Sequence, residues 1–367
     1  MARGCGALLL TMALAVAASA QEATVWVASP WEHVLRSSPP GTGLLARLQA
    51  ARNEYEAFRL IVRAGAEALD EVNVTVSALT GPGGTIPAGQ IALYREHYIE
   101  CATLSYGSTA PPGWYPDALL PYVDPVTGKA PVAAKYAAAN CRVEAGQNQG
   151  FWGDIYVPRG TAPGVYRGKA VVTAMGKTLA EVGLRLEVWP FTLPDTFAMR
   201  SNFGSLGRVI TRAGLKAGSP EANRLLDNTI DLFLAHRCQP SSLGDIWPKY
   251  TPEQGMDDSQ TGARLRMMVQ QRHINALALP FPWGDGPDKC RAYMRALAAY
   301  LRQHPGAVAA QFVAYLLIRY RDGQIHPVHA QPPALGDVVA VHPAPHHQPG
   351  VFHLARHRAD GSLFLRA

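Results

Sequence analysis

The clearest structural signal in the chain lies in residues 154–194, which read DIYVPRGTAPGVYRGKAVVTAMGKTLAEVGLRLEVWPFTLP. Short apolar runs at residues 154–158, 168–173 and 184–188 are separated by turns rich in Gly and Pro. The last run alternates apolar and polar residues, which is typical of a half-buried strand because successive side chains point to opposite faces. Short strands at this regular spacing predict a β-sandwich.

The same signals continue upstream towards residue 23. Residues 58–62 form a short apolar run, residues 72–76 alternate with a period of two, and residues 81–84 are a turn made of Gly and Pro. We therefore predict that residues 21–192 form an N-terminal antiparallel β-sandwich domain.

Beyond the sandwich, the apolar residues follow the spacing of helices. Helices are predicted at residues 220–236, 259–272 and 287–304, with a buried strand at residues 273–279. Strands that alternate with helices indicate βα units around a parallel sheet. A complete (β/α)8 barrel of the TIM type takes about 250 residues, and too few remain for one. We therefore predict an incomplete barrel over residues 193–306.

The last part of the sequence, residues 307–367, lacks this periodicity. Seven of the twelve His lie at or after position 326, and no Glu follows Glu253. The segment could be a His-rich metal-binding tract, a genuine low-complexity extension, or a translation of a GC-rich gene in the wrong reading frame. The absence of periodicity and of Glu favours the third interpretation, which predicts an aberrant tail of low local order.

The first twenty residues have the features of a secretory signal peptide. Arg3 supplies the positive start, an apolar run follows, and Ala18-Ser19-Ala20 is a small-residue cleavage site. An uncleaved membrane anchor is the alternative, but a span needs about 20 apolar residues and this run is shorter. We expect cleavage near Ala20 and a secreted or periplasmic protein without stable membrane insertion.

Composition and charge exclude several classes of protein. Apolar residues make up 48% of the chain and charged residues 17%, which excludes wholesale disorder. The net charge of +6 is spread along the chain without a basic run, so a nucleic-acid partner is not expected. The sequence also has no zinc, P-loop or dinucleotide-binding motif, and no metal or other cofactor is expected.

Four cysteines remain after removal of the signal peptide: Cys101, Cys141, Cys238 and Cys290. Export permits disulfides, and Cys101 with Cys141 is the first candidate pair because both lie in the same half of the chain. Four free thiols are an equally good interpretation. Cys238 and His236 could form a thiol nucleophile, but core packing is the favoured role of Cys238.

Several sequence blocks resemble the glycoside hydrolase family 123-like proteins of bacteria, which combine a characteristic N-terminal domain with a DUF4091-type barrel. The opening block, residues 51–58, reads ARNEYEAF, and the resemblance extends to about Pro305, most strongly before residue 200. The further matching blocks, in order, are residues 93–96, 113–121, 146–149, 154–158, 160–164 and 188–194.

This resemblance implies a β-sandwich followed by a (β/α)8 barrel, and exo-hydrolysis of β-linked N-acetylgalactosamine. In the family, the acetamido group of the substrate attacks the anomeric carbon, so the reaction is substrate-assisted and retaining. An adjacent Asp-Glu pair completes the machinery: the Asp orients the acetamide, and the Glu protonates the leaving oxygen of an oxocarbenium-like transition state. The implied partner is a glycan that contains N-acetylhexosamine.

The sequence departs from the family at the position of that pair. The Asp-Glu pair should lie near residues 314–322, which read AYLLIRYRD and contain no Glu. The only Asp-Glu dipeptide in the chain is Asp70-Glu71, which is interpreted as a solvated turn before a strand of the sandwich. The chain is therefore predicted to carry no catalytic residue. A non-catalytic carbohydrate-binding or structural module is the alternative function.

Sugar contact is predicted for aromatic and acidic residues on two loops of the second half. Trp283 and Asp285 follow the strand at residues 273–279, and barrel sites lie at the carboxyl ends of strands. Trp247 and Asp245 lie on the preceding loop. An aromatic ring can stack on a pyranose while a carboxylate binds its hydroxyls. Ordinary loop packing is the alternative for each of them.

Overall fold

The structure is a computed structural model whose described residues fall into two compact units, Met1–Asp195 and Thr196–Ala367. The described residues are 22–103, 107, 109–131, 135–196, 201, 203, 206–240, 243–278 and 287–304, together with strands at 311–314, 319–321, 324–326, 339–343, 352–357 and 363–365. The predicted signal peptide, residues 1–20, lies outside them. Among the described residues, no helix is both long and apolar enough to span a bilayer.

The first unit consists of strands and a short 3-10 turn at Ala88–Gln90. In chain order the strands are β1 Thr24–Ala28, β2 Leu45–Arg52, β3 Glu54–Arg63, β4 Leu69–Val76, β5 Leu79–Gly81, β6 Gly84–Ile86, β7 Ile91–Cys101, β8 Gly113–Pro121, β9 Cys141–Val143, β10 Asn148–Val157, β11 Gly164–Ala174 and β12 Lys177–Thr192.

These strands form two sheets that share one hydrophobic core. The first sheet has the order β1-β3-β10-β7-β8, and all its pairs are antiparallel. The second has the order β2-β12-β11-β4-β9, with the hairpin β5–β6 beside β11. The prediction of a wholly antiparallel domain is wrong at one pair, because β2 and β12 run parallel. β2 is followed by a strand of the other sheet, so no hairpin fixes its direction against β12.

The alternation of apolar and polar residues in the sequence of β12 corresponds to alternating burial of its side chains in the structure. In β12, Val182, Leu184, Leu186 and Val188 are buried in the shared core, while the residues between them are partly exposed. Full burial of each such side chain stabilises the fold by about 1.5–3 kcal/mol. The β-rich N-terminal domain predicted from the spacing of apolar residues is confirmed.

The second unit mixes helices and strands. Its elements are α1 Gly207–Arg212, α2 Pro220–Ala235, β13 Lys249–Thr251, β14 Gly255–Asp257, α3 Gly262–Arg266, a π-helical turn at Met267–Gln271, β15 Ala276–Ala278, α4 Pro287–Gln303, β16 Gln311–Ala314, β17 Arg319–Arg321, β18 Gln324–His326, β19 Val339–Pro343, β20 Phe352–His357 and β21 Leu363–Leu365.

The predicted helices are present, and one of them is shorter than predicted. In α2, Ser219 caps the N-terminus by accepting a hydrogen bond from the backbone N–H of Ala222 at 3.2 Å, and Leu226 and Ile230 are buried. The helix predicted at residues 259–272 begins only at Gly262. The preceding backbone folds into a turn in which the carbonyl of Asp258 accepts hydrogen bonds from the backbone N–H groups of Thr261 and of Gly262, the first residue of α3.

The described strands of the second unit include a mixed sheet with the order β15-β16-β19-β20-β21. β15, β16 and β19 pair in parallel, as in βα units, whereas β19, β20 and β21 pair in antiparallel fashion. The loop predicted before α3 contains the hairpin β13–β14. The incomplete barrel over residues 193–306 and the aberrant tail over residues 307–367 stay predictions.

Candidate functional site

Of the four residues predicted to contact sugar, two lie within the described part of the chain. Trp247 is half-buried and packs against the hydrophobic core of the second unit. Asp245 is exposed on the same loop. Trp283 and Asp285 lie outside the described residues. The role of these four residues in sugar contact therefore stays a prediction, and the packing of Trp247 is an observed structural role.

The single Asp-Glu dipeptide lies at the solvent-exposed start of β4. Asp70 binds Arg142 of the neighbouring chain segment at 2.6 Å, and both side chains are about half exposed (51% and 54%). Glu71 adopts a left-handed backbone conformation, with φ of 51°, at an irregularity in the pairing of β4 with β9. The prediction of a solvated position is confirmed, but the dipeptide lies within a strand and not in a turn before it.

All four described cysteines are free thiols, and Cys101 and Cys141 do not form a disulfide. The structure therefore agrees with the interpretation of four free thiols. The Cys238 thiol donates a hydrogen bond to the backbone carbonyl of His236 at 3.4 Å. Burial raises the pKa of the Cys238 thiol, which disfavours the nucleophilic thiolate. Both observations agree with the packing role favoured for Cys238.

The first sheet has a second face, which points away from the shared core and which we call the outer face. One part of it contains a buried ion pair. The guanidinium of Arg59 donates to both carboxylate oxygens of Glu96, at 2.5 and 2.6 Å, and also to the backbone carbonyl of Glu32. The two side chains are only 2% and 4% exposed. Gly150 lies directly over the Glu96 carboxylate, where any Cβ would overlap it.

Residues 29–44, which connect β1 to β2, cover this part of the outer face. Tyr98 donates a hydrogen bond to the carbonyl of Val34 at 3.1 Å, and Gly41 lies against the ring of Trp26. A depression of about 390 Å³ lies between the connection and β1. The chain itself therefore covers the Arg59–Glu96 pair and removes it from water.

On the other part of the outer face, small residues lie beside Asp154. In the register of the sheet, Asp154 lies between two small residues on the neighbouring strands, Ala57 and Ala92. Larger rings flank it on both sides along the strands. We call this set the Asp154 hollow, and its members are Tyr55, Ala57, Ala92, Tyr94, Trp152, Asp154 and Tyr156.

The rings of the Asp154 hollow are held in place by specific contacts. Tyr55 and Tyr156 are directly opposite each other, with ring centroids 4.9 Å apart and planes inclined by 41°. The hydroxyl of Tyr156 donates to the Asn53 side chain at 2.8 Å. The indole N–H of Trp152 donates to Asp154 Oδ1 at 2.6 Å. The hollow is therefore a fixed arrangement of aromatic rings around a carboxylate.

The charge of Asp154 acts on the phenols around it. Burial, followed by the electrostatic influence of Tyr156 and Asp154, raises the pKa of Tyr55. Burial and the Asp154 carboxylate likewise raise the pKa of Tyr94. A phenol is protonated at neutral pH in any case, and the raised pKa keeps Tyr55 and Tyr94 neutral at higher pH. The exposed parts of these aromatic rings can stack on a ligand.

Sequence reasoning missed the Asp154 hollow. The alternation of Trp152, Asp154 and Tyr156 was visible as one face of a strand. The partners from β3 and β7 could not be assigned to that face, because only the register of the sheet brings them together. In the part of the chain that the structure describes, no group of His, Cys, Asp and Glu is arranged to hold a metal ion.

Comparison with known proteins places the resemblance in the first unit. Residues 39–174 match the family model described as the glycoside hydrolase 123 N-terminal domain. The resemblance to glycoside hydrolase family 123-like proteins that was inferred from the sequence blocks is confirmed for these residues. No curated protein matches the chain.

Solved structures also resemble the chain. A family 123 glycoside hydrolase from Clostridium perfringens, described in the context of glycolipid glycan hydrolysis, is 16% identical with a TM-score of 0.42. The match covers 52% of this chain and 31% of that one, so the chain spans about a third of its length. The sporulation control protein Spo0M of Bacillus subtilis is 9% identical (TM-score 0.22; 48% and 51% covered). The PapD-like domain 7 of human CEP192 is 12% identical (TM-score 0.21; 52% and 98% covered).

Proposed function

We propose that the chain is a glycoside-hydrolase-like protein of the β-N-acetylgalactosaminidase type that binds N-acetylhexosamine-containing glycans without hydrolysing them. The observation that carries the proposal is the match of residues 39–174 to the glycoside hydrolase 123 N-terminal domain. It supports a relationship to enzymes that act on glycans. The sequence of residues 314–322 supports the absence of hydrolysis, because it contains no Glu.

The chemistry explains why the missing acid matters. The leaving oxygen of a glycoside must be protonated as the bond to the anomeric carbon breaks, and a positioned acid contributes about 10²- to 10⁴-fold to such a step. Asp70 is engaged with Arg142 on the surface of the sandwich, and its neighbour Glu71 is exposed on the same strand. This dipeptide is not set in a cleft that could enclose a sugar, so it offers no replacement.

The second candidate is a non-catalytic carbohydrate-binding or structural sandwich module. The Asp154 hollow favours this candidate, because it places aromatic rings and a carboxylate on an outer face of the first unit. The two candidates differ in where the glycan binds. In the first, binding depends on Trp247, Trp283 and their neighbouring aspartates; in the second, it depends on the sandwich.

We include export in the proposal, on the basis of the signal-peptide features of residues 1–20. The mature chain would begin at Gln21 and would be secreted or periplasmic. N-terminal sequencing of the chain recovered from the periplasm or the medium tests this point. A cell-retained chain that still begins at Met1 would contradict it.

The enzymatic part is tested with a chromogenic β-N-acetylgalactosaminide and the full chain. We expect no release of chromophore above the rate without protein. The binding part is tested by calorimetry with N-acetylhexosamine oligomers. Replacing Trp283 with Ala should weaken binding by about 1–3 kcal/mol, the value of burying a large side chain. The matched control is Trp31→Ala, since Trp31 is 93% exposed on the first unit.

The outcomes separate the candidates. Turnover of the substrate would contradict the non-hydrolytic proposal. Binding that is weakened equally by Trp283→Ala and Trp31→Ala, or by neither, would remove Trp283 from the site. Absence of binding to any N-acetylhexosamine oligomer would contradict glycan recognition itself.

A further inference from the structure

We propose that the depression between β1 and residues 29–44 binds the acetamide group of an N-acetylhexosamine unit in a glycan. The inference rests on the proposed function, because it takes the N-acetylhexosamine glycan as the ligand and assigns recognition of the N-acetyl group to one place on the first unit. It involves neither the loops that contain Trp247 and Trp283 nor the side chains of the Asp154 hollow.

The depression has the size of a ligand pocket. Its volume of about 390 Å³ lies within the range of about 300–1,000 Å³ that is usual for small-molecule sites. Its lining combines apolar side chains, such as Val27, Pro39 and Pro40, with the hydroxyl-bearing residues Ser29 and Ser38. The depression can therefore hold one substituent or one unit of a glycan and contact it with both polar and apolar groups.

One wall of the depression is the indole of Trp26, which is only 4% exposed. Its N–H group has no hydrogen-bond acceptor among the described residues, yet the nitrogen is not fully removed from solvent. Gly41, which also lines the depression, lies against this edge of the ring, and a Cβ added there would be 2.6 Å from Nε1. The glycine thus keeps the N–H uncovered, and a nearly buried donor opens to the depression.

Two hydroxyl groups of the lining are further donors. Ser29 Oγ accepts a hydrogen bond from the backbone N–H of Trp31 at 3.3 Å, and Ser38 Oγ accepts one from the backbone N–H of Leu35 at 2.9 Å. Each hydroxyl therefore keeps its own hydrogen for another acceptor, and the described residues provide none.

The backbone acceptors of the lining are already engaged. The carbonyls of Glu32, Val34 and Ser38 each accept a hydrogen bond from a side chain of the first sheet. The Glu32 side chain adds a carboxylate, which has no ion-pair partner among the described residues. The lining therefore has more unused donors than unused acceptors.

This chemistry selects the occupant. A ligand has to supply an acceptor for the donors and an apolar group for the prolines, because a nearly buried donor without a partner is unfavourable. An acetamide supplies both: its carbonyl oxygen accepts, its methyl group packs against Pro39 and Pro40, and its N–H can donate to the Glu32 carboxylate. A sugar hydroxyl in the same position lacks the methyl group, and an ammonium group has no acceptor.

The test follows the tryptophan indole N–H resonances of the isotope-labelled full chain by NMR during titration with two tetrasaccharides. These are β-1,4-linked N-acetylglucosamine and β-1,4-linked glucose, which has a hydroxyl in place of each acetamide. Trp26→Phe removes the donor and identifies its resonance. Gly41→Ala places a methyl group against the indole edge. The matched control is Gly89→Ala, an exposed position of the same unit where an added Cβ meets nothing within 4 Å. Circular dichroism checks that each variant folds.

We expect the N-acetylated tetramer to shift the Trp26 resonance and to bind about tenfold more tightly than the glucose tetramer, which is the size of one hydrogen bond. Trp26→Phe and Gly41→Ala should each remove most of that preference, and Gly89→Ala should leave it unchanged.

A Trp26 resonance that does not move when the N-acetylated tetramer saturates the chain, or a preference that persists in both variants, overturns the inference. The proposed function would then stand, because the glycan would bind elsewhere. Equal affinity for the two tetramers also overturns the inference, since the acetamide is then not recognised. Absence of binding of either tetramer contradicts both.

Discussion

The buried pair Arg59–Glu96 offers the sharpest test of how the first unit is held together. Both side chains are almost fully removed from water, and the guanidinium uses the carboxylate and the carbonyl of Glu32 as acceptors. We consider three variants: Glu96→Gln, Arg59→Met, and the double variant Arg59→Met with Glu96→Met. The glutamine has the shape of the glutamate, so it fits beneath Gly150 without the overlap that a larger residue would cause.

The magnitudes follow from the cost of an unpaired buried charge. Removing one partner of a buried pair typically costs about 3–5 kcal/mol, because the remaining ion has lost its counter-charge away from water. Glu96→Gln and Arg59→Met should therefore each lower the free energy of unfolding by about 3–5 kcal/mol. The double variant leaves no charge behind, and replacement of both ions by apolar residues is often neutral. Its loss should be much smaller than the sum of the two single losses.

Native-state hydrogen exchange of the full chain measures these losses, read from peptides of β3 and β10, because the slowest amides report global opening of the unit. The control is the ion pair of Arg142 and Asp70, whose side chains are about half exposed. Arg142→Met should have a far smaller effect, since exposed pairs are screened by water. The reasoning would be refuted if the single variants of Arg59 and Glu96 lowered the free energy of unfolding as little as Arg142→Met does. It would also be refuted if the loss in the double variant equalled the sum of the two single losses.

Three further predictions concern packing, capping and titration. Gly153→Ala places a Cβ against the ring of Phe58 in the shared core and should lower the free energy of unfolding of the first unit by about 1–3 kcal/mol, measured by thermal denaturation; an unchanged midpoint would contradict the packing. Ser219→Ala removes the cap of α2 and should cost about 0.5–2 kcal/mol, whereas Ser219→Asn should restore most of it, as judged by amide exchange in that helix. Burial raises the pKa of Tyr293 from 10 to about 12, so the folded state favours its neutral form. The resulting stability is present below pH 10 and lost as the pH rises towards 12, and Tyr293→Phe should remove both this loss and one high-pH phenolate in an absorbance titration.

The strands of the first unit could be predicted because their signal is local. The side chains of β12 alternate between core and exterior within a single run, so the sequence shows the period directly. Helix α2 was predictable for the same reason: Ser219, Pro220 and the apolar positions that follow are neighbours in sequence. The parallel pairing of β2 with β12 was not predictable, because the two strands are more than a hundred residues apart and no turn relates them.

The boundaries of α3 show a second limit. The apolar spacing predicted a helix at residues 259–272, and the chain there does turn helically, but in two forms, α3 followed by a π-helical turn at Met267–Gln271. The two forms bury the same apolar face, with Leu265 and Met268 in the core. Sequence periodicity records which residues are buried and not which hydrogen-bond pattern connects them.

The candidate sites also differ in whether they could be predicted from the sequence. The absence of an Asp-Glu pair near residues 314–322 could be inferred from the sequence, because that machinery consists of two adjacent residues. The Asp154 hollow could not, because it assembles Tyr55 and Tyr94 from strands on either side of β10. One face of one sheet thus contains both the buried Arg59–Glu96 pair and the aromatic side chains around Asp154, and only the register of the sheet brings either group together.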